Sequence, residues 1–140
     1  MCIRDRSKAN PWQWQICRGI KDTIPFEKKK GVVYEIRCSE CPASYIGETA
    51  CSLITRKKEH ERNTRLAQVE MSAVAEHVWL NDHKIHWAET SILDSEANFR
   101  SRRVKEAIWI ALKSPSLNRD SGLELSQLWI ETVRKNSCSL

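Results

Sequence analysis

The stretch G-V-V-Y-E-I-R-C-S-E-C-P-A-S-Y-I-G-E-T, residues 31–49, determines the fold that is expected for this chain. Residues 32–37 and 44–47 are rich in residue types that favour strands, and the short loop between them contains a proline. Two strands this close in sequence are expected to pair as an antiparallel hairpin. Tyr34 and Tyr45 lie on neighbouring strands of that hairpin, where both could simply be half-buried residues with their hydroxyls in water.

The sequence after the hairpin predicts helices and one further strand. Ser52 is a typical helix N-cap, and Asn81 with Asp82 is expected to end a second helix. The order strand–strand–helix–helix–strand–helix predicts an α+β fold, a small three-stranded antiparallel sheet flanked by helices. The expected elements are helices over residues 53–68, 71–80, 96–112 and 125–134, and a third strand over residues 84–93.

The helix over residues 96–112 has the clearest apolar periodicity and also carries a candidate metal ligand. Glu106 stands immediately before the apolar run A-I-W-I-A-L. Its carboxylate is either the solvated edge of the helix or a ligand for magnesium, which needs only one or two protein carboxylates. Glu96, at the exposed start of the helix, is a poorer candidate. The stripe expected to face the core is Phe99, Val104, Ile108, Ala111 and Leu112.

Length and composition suggest one domain with a basic surface. The 140 residues carry 23 Lys and Arg against 18 Asp and Glu, a formal net charge of +5. A basic excess favours polyanionic partners such as nucleic acid, although it could also be only a soluble basic surface. No apolar run approaches the roughly 18 residues of a membrane span, so no membrane partner is expected.

The expected organisation has three parts. Residues 1–30 are predicted to be a linker or disordered arm, residues 31–130 the folded domain, and residues 131–140 a tail. Within the arm, residues 12–16 alternate tryptophan or isoleucine with polar residues and could form a short edge strand or a docking segment.

Two cysteines and two histidines have the chemistry of a metal site. Cys38 and Cys41 form a C-x-x-C in the hairpin loop, and His77 and His83 form an H-x5-H downstream. Two thiolates and two imidazoles make a tetrahedral set suited to structural zinc. His86 competes for the last position. A redox role for the C-x-x-C is disfavoured because a proline and a new strand follow it, where that motif needs a helix.

Arg56 and His60 are four residues apart on one predicted helix, so their side chains point the same way. Arg56 is either part of a solvated, highly charged face or a guanidinium that binds a phosphate. His60 is either a neutral structural histidine or a member of a site. Asn118 is, on pattern alone, an ordinary turn residue.

These residues together resemble the GIY-YIG nucleases. The first triplet is Val32-Val33-Tyr34, the second is Tyr45-Ile46-Gly47, and the helix motif L-x-x-R-x-x-x-H follows at residues 53–60. The resemblance is closest to the zinc-containing GIY-YIG domain at the end of Penelope-like retroelement proteins, and it covers about residues 31–129.

The resemblance implies a metal-dependent DNA endonuclease that nicks one strand, with roles for six residues. Tyr34 is expected to deprotonate the attacking water, with Tyr45 as its positioning partner, provided that nearby positive charge lowers the tyrosine pKa. Arg56 would bind the scissile phosphate, His60 would hydrogen-bond or shuttle a proton, and Glu106 would hold Mg²⁺ or Mn²⁺. Asn118 matches an asparagine of the family.

The resemblance also implies cofactors, partners and a location. Cys38, Cys41, His77 and His83 match a structural Zn²⁺ set of the Penelope-like domains. DNA is the expected substrate, with Lys57 and Lys58 touching its phosphates, and the reverse transcriptase domain of a parent element is the expected protein partner. The nick would prime reverse transcription at the target, in the nucleus.

The chain departs from the Penelope-type pattern after the second triplet. It has Ala50-Cys51 where those domains usually have glycine and arginine. The loss could weaken phosphate binding or the turn into the helix. Two alternatives therefore stay open: an inactive zinc-stabilised DNA-binding module, and a protein-interaction domain in which the tyrosines and Glu106 are structural.

Overall fold

A computed structural model describes residues 24–119 and 122–137. The chain is an α+β protein with a three-stranded antiparallel sheet, which confirms the predicted fold class. The alternating residues 12–16 lie outside the described part. The elements are β1 (Lys30–Arg37), β2 (Ser44–Ser52), α1 (Leu53–Arg65), α2 (Ala73–Asn81), β3 (Ser91–Ser95), α3 (Phe99–Leu112) and α4 (Gln127–Ser137), with short 3₁₀ helices at Phe26–Lys28 and Trp87–Glu89.

The sheet is built around β1, which lies between β2 and β3. The hairpin expected from residues 31–49 places Tyr34 opposite Gly47 and Ile36 opposite Tyr45. Residues directly opposite each other in an antiparallel pair point to the same face. Tyr45 and Gly47 therefore lie on the Tyr34 face of the sheet.

The main core lies on the Tyr34 face, and the first two helices contribute to it. Its buried cluster includes Leu53 at the start of α1 and Val74 in α2. Partly buried residues of the 84–93 segment close the edge of this cluster, among them Ile85, Trp87 and Ile92. The buried members are Val32, Tyr34, Ile36, Leu53 and Val74.

The third strand is shorter than predicted. The prediction of a strand over residues 84–93 is wrong for its first half, because β3 begins only at Ser91. Ile85 instead forms an isolated bridge with Cys38, and a 3₁₀ turn follows. The segment around Ile85 is thus held against the β1–β2 loop, and only after the 3₁₀ turn does the chain pair with β1 as β3.

The predicted apolar stripe of α3 is wrong at two positions. Phe99 is 58% exposed and Val104 is 37% exposed, whereas Arg102 and Ala107 are buried. Arg102 is buried because its guanidinium pairs with Glu48 of β2. Periodicity of apolar residues misses this arrangement, since a buried arginine is tolerated only when a specific partner neutralises it.

The helix ends differ modestly from the expected bounds. α1 ends at Arg65, and α3 begins at Phe99 after Asn98, whose side chain caps it by accepting from the Ser101 amide at 3.1 Å. α4 continues to Ser137, past residue 130, where the tail was expected to begin. In the described part of the chain, no helix combines the length and the apolar character needed to cross a bilayer.

Candidate functional site

A buried hydrogen-bond chain joins β1, α1 and α2. The hydroxyl of Tyr34 lies 2.9 Å from His60 Nε2, and His60 Nδ1 lies 2.9 Å from Ser72 Oγ. Ser72 is the N-cap of α2 and accepts from the Ala75 amide at 3.4 Å. All three members of the chain are at most 3% exposed. The histidine is therefore held in one orientation by partners on both ring nitrogens.

Tyr45 completes an aromatic cluster with Tyr34 and His60. Its ring centroid lies 6.3 Å from that of Tyr34 and 5.0 Å from that of His60. Unlike Tyr34, which has no exposed surface, Tyr45 is only partly buried. Of the two tyrosines, Tyr45 is the one that a bound molecule can reach without a rearrangement of the core.

Gly47 makes room for the buried tyrosine. A Cβ at this position would lie 2.5 Å from the Tyr34 hydroxyl oxygen and 2.8 Å from a ring carbon of Tyr45. Both distances are far below van der Waals contact. The glycine of the second triplet is thus required by the packing of the two tyrosine rings.

Arg56 and Glu106 bring opposite charges to this cluster. Burial is the main cause that raises the pKa of both tyrosine hydroxyls; the carboxylate of Glu106 adds to the rise and the positive charge of Arg56 partly opposes it. Arg56 has 41% of its side chain exposed and pairs with Glu59 at 2.6 Å. Glu106 is 14% exposed and lies 3.7 Å from Arg103. The structure thus collects five residues singled out in the sequence around one tyrosine–histidine cluster.

Burial governs the titration of these groups. It raises the pKa of the Tyr34 and Tyr45 hydroxyls above their usual value, and the nearby Arg56 does not offset it. Arg56 does lower the tyrosine pKa as expected, but by less than burial raises it. Burial, with the charge of Arg56, lowers the pKa of His60 to about 4. The imidazole is neutral near pH 7, so one of its ring nitrogens is free to accept a hydrogen bond.

Asn118 is used to hold β2. Its Oδ1 accepts from the Ile46 amide at 3.0 Å, and its Nδ2 donates to the Ile46 carbonyl at 2.6 Å. Ser116 supports it by donating to the same Oδ1 at 2.7 Å. Both polar atoms of the amide are thus engaged with the middle residue of the Tyr45-Ile46-Gly47 triplet. Asn118 is a positioning residue that fixes the edge strand carrying Tyr45.

The four predicted metal ligands meet in one cluster, with all ligand atoms within 4.8 Å of one another. His77 Nε2 lies 3.4 Å from the sulfur of each cysteine, and His83 Nδ1 lies 3.6 Å from Cys38 Sγ and 3.1 Å from His77 Nε2. Ligand atoms around a tetrahedral zinc are about 3.3–3.8 Å apart, given its bond lengths. The cluster can therefore hold a metal ion such as zinc.

Backbone contacts assemble the metal cluster from distant segments. The Cys38 amide donates to the Ala43 carbonyl at 3.1 Å, which closes the hairpin loop. The Ser39 amide donates to the Lys84 carbonyl at 2.9 Å, which brings His83 beside the cysteines. His86, the competing ligand, instead lies 3.3 Å from Glu89. Burial and the neighbouring His83 lower the pKa of His77, which favours the neutral imidazole that a metal needs.

Two functional features were missed in the sequence. Ser72 orients His60, and the only signal for it was a serine close to the start of a predicted helix. The Arg102–Glu48 pair joins α3 to the strand that follows the second triplet. Nothing in the sequence pairs these two residues, which are far apart in the chain.

Comparison with protein-family models, with curated proteins and with solved structures gives no match for this chain. The class of protein is therefore defined by its own structure. It is a small α+β protein with a Cys₂His₂ metal-binding cluster and a separate buried tyrosine–histidine cluster.

Proposed function

We propose that this protein is a metal-dependent DNA endonuclease of the GIY-YIG type that nicks one strand. The observation that supports it best is the contact of 2.9 Å between the Tyr34 hydroxyl and a neutral, buried His60, with Arg56 and Glu106 close to it. A neutral imidazole, a guanidinium and a carboxylate around two tyrosines, of which Tyr45 can be reached by a bound molecule, are groups suited to phosphodiester hydrolysis.

The proton path follows from the burial of the two tyrosines. Tyr45, the more exposed ring, meets the attacking water, and Tyr34 donates to His60 Nε2. His60 Nδ1–H then donates to Ser72 Oγ. Because burial raises both tyrosine pKa values, the transfers are concerted and avoid a free tyrosinate. The water protonates the Tyr45 oxygen, Tyr45 passes its own proton to Tyr34, and Tyr34 passes its own to His60 Nε2. The proton rests there transiently, opposite the negative charge that develops on the phosphate, while the Nδ1–H keeps its hydrogen bond to Ser72. The resemblance implied Tyr34 as the base that deprotonates the water; in this proposal Tyr45 takes that role and Tyr34 passes the proton on.

Arg56 binds the scissile phosphate in this proposal. Its guanidinium is partly exposed, and its present partner Glu59 is itself 52% exposed. An exposed ion pair of this kind contributes only about 0–1 kcal/mol. A phosphate can therefore displace Glu59 at little cost and gain a bidentate contact in a less hydrated setting.

Glu106 is the residue that would hold Mg²⁺ or Mn²⁺. One largely buried carboxylate fits such an ion, which keeps several water ligands and also binds the substrate phosphate. When bound, the ion would supply Lewis-acid polarisation of the phosphate and of the leaving oxygen. Glu106 would also have to release Arg103, which lies at the long distance of 3.7 Å.

The Cys₂His₂ cluster has a structural role in this proposal. Zinc with four protein ligands has no open position for water. The cluster joins the β1–β2 loop to α2 and to residue His83. It would hold in place the hairpin that carries both tyrosines.

The biological setting we propose is a retroelement of the Penelope-like kind. A nick leaves a 3′ hydroxyl that a reverse transcriptase domain of the parent element can extend, and this reaction belongs in the nucleus. The support is the resemblance of the two triplets, the helix motif and the metal ligands to those domains.

The experiment that tests the function is nicking of supercoiled plasmid by zinc-loaded protein with added Mg²⁺. Metal-dependent nicking is expected from the wild type and not from Glu106→Ala. Glu96→Ala is the matched control, since Glu96 lies outside the cluster and pairs with Lys105 at 3.5 Å. Absence of nicking by the folded wild type, with DNA binding retained, would favour the inactive DNA-binding module instead.

A further inference from the structure

A second basic feature lies on α1, beyond the tyrosine–histidine cluster. Lys58, Arg62 and Arg65 line a shallow groove of about 450 Å³ together with Trp87 and Glu61. The three cations follow one face of the helix at i, i+4 and i+7 spacing, and all three are exposed. We refer to these five residues as the basic groove.

The cations of the basic groove are uncompensated. Within residues 24–119 and 122–137, none of the three has an ion-pair partner. Several other cations in the described residues are paired, such as Arg102 with Glu48 and Lys113 with Glu35. With Glu61 included, the groove still keeps a net charge of +2. Such a groove is complementary to a phosphate backbone.

Trp87 provides an aromatic surface beside these charges. It is partly buried because it packs against the core cluster, and it belongs to the 3₁₀ turn Trp87–Glu89. The bases of a duplex are already stacked on one another, whereas an unpaired base can stack on an indole. A cationic groove with an aromatic wall is the arrangement that binds single-stranded DNA.

The groove lies on the same helix as the proposed phosphate ligand but on its other side, because its three cations are turned by roughly 180° from Arg56 at about 100° per residue. Arg56 and Arg65 are both in α1, nine residues apart, which corresponds to about 13 Å along a helix. A strand bound at Arg56 therefore has to pass around α1 to enter the groove, which a flexible unpaired strand can do and a duplex cannot.

We infer that the basic groove binds an unpaired DNA strand on the side of α1 opposite the cleavage site, so that the preferred substrate is branched or flapped DNA. The inference rests on the proposed nuclease function for the position of the cut. Lys58, Arg62 and Arg65 contact successive phosphates, and Trp87 stacks on one base. Lys57, which was expected to share the role of Lys58, does not line the groove.

Binding of a fluorescein-labelled single-stranded oligonucleotide to zinc-loaded protein, measured by anisotropy without added magnesium, tests this inference. Arg62→Gln/Arg65→Gln is expected to reduce the slope of log K against log salt by about 1.4, since each neutralised phosphate of a single strand contributes about 0.7. Arg100→Gln/Lys135→Gln is the matched control. It removes the same charge from exposed residues outside the groove, and the slope should stay close to the wild-type value. An equal reduction by both double variants would overturn the inference.

Trp87 variants separate stacking from charge. Trp87→Leu keeps an apolar side chain against the core and is expected to weaken single-strand binding about tenfold. Trp87→Phe keeps an aromatic ring and should retain most of the affinity. Unchanged binding by Trp87→Leu, or blunt duplex bound as tightly as the single strand, would contradict a stacked base.

The binding and cleavage results are independent. If single-strand binding depends on the groove but no nicking is observed, the groove is supported as a DNA-binding site and the nuclease function is rejected. If Arg62→Gln/Arg65→Gln and Trp87→Leu both nick flapped DNA at the wild-type rate, the nuclease function is supported and the role of the groove is rejected.

Discussion

At the scale of single residues, the contact between Tyr34 and His60 combines packing with chemistry. Both side chains are buried, and the two are joined at 2.9 Å with Ser72 behind the imidazole. Removal of either partner leaves a buried polar group unsatisfied, which costs about 1–3 kcal/mol. The same contact is the one through which a proton can leave the tyrosine hydroxyl.

His60 is expected to make stability depend on pH. Its folded pKa of about 4 lies below the usual value of 6.5, so the unfolded chain binds a proton first as pH falls. Stability is full above about pH 6.5, and His60 alone should remove about 2 kcal/mol between about pH 7 and about pH 5. Urea unfolding of zinc-loaded protein at the two pH values measures this loss.

His60→Gln is the control for that measurement, because metal binding by thiolate and imidazole ligands also depends on pH. The difference between wild type and variant isolates the histidine. Wild type and His60→Gln with the same pH dependence would show that the imidazole is not buried as described.

The proximity of residues close in sequence could be predicted from helical spacing. The burial of the tyrosine and histidine side chains could not. Helical spacing places Arg56 and His60 on one face, and both lie at the tyrosine cluster. The direction of the tyrosine pKa depends on how deeply the sheet and helices bury the rings. Asn118 was likewise found by resemblance, but its bond to the Ile46 backbone exists only in the folded chain.

At the scale of elements, the β1–β2 hairpin depends on Gly47. Gly47→Ala would place a methyl group 2.5 Å from the Tyr34 hydroxyl oxygen and 2.7 Å from its ring. We expect a loss of about 1–3 kcal/mol in the free energy of unfolding from this overpacking. Urea denaturation at neutral pH is the measurement.

Tyr34→Phe in the Gly47→Ala background should restore part of that loss, because it removes the nearest clashing atom. Strict additivity of the two substitutions would show that they do not meet. Ala50, in the same strand but exposed, gives a matched control as Ala50→Ser, which should change stability little.

The loop of the same hairpin is expected to depend on bound metal. His83→Gln removes one of four ligands and should lower the melting temperature by about 10 °C or more, since structural zinc supplies folding free energy. His86→Gln removes a nearby histidine that is not in the cluster and should shift it by about 2 °C or less. Thermal unfolding with and without a chelator measures both. Equal shifts for the two variants would contradict the Cys₂His₂ set.

Element type was predictable here because the hairpin and the helices have strong local patterns. The exception is instructive, since residues 84–90 have a strand-like composition but are held by the hairpin loop through the Cys38–Ile85 bridge. The buried side of α3 was also missed, because Arg102 is neutralised by Glu48. Both errors arise from contacts between distant segments.

At the scale of the whole molecule, two clusters flank one hairpin. The metal-binding cluster holds its loop, and the tyrosine–histidine cluster lies along its strands. α1 connects the second cluster to the basic groove. We expect loss of the metal to reduce nicking and folding together, whereas loss of groove charges should affect DNA binding first.

The decisive measurement is the rate of Mg²⁺-dependent nicking by Tyr34→Phe relative to wild type. The substitution removes one buried oxygen, and DNA affinity and melting temperature of the same preparations show that the fold and the substrate contact remain. We expect a fall of about 100-fold or more, the contribution of a positioned proton-transfer group. A wild-type rate in Tyr34→Phe would contradict the account, because the tyrosine–histidine contact would then have no part in the reaction.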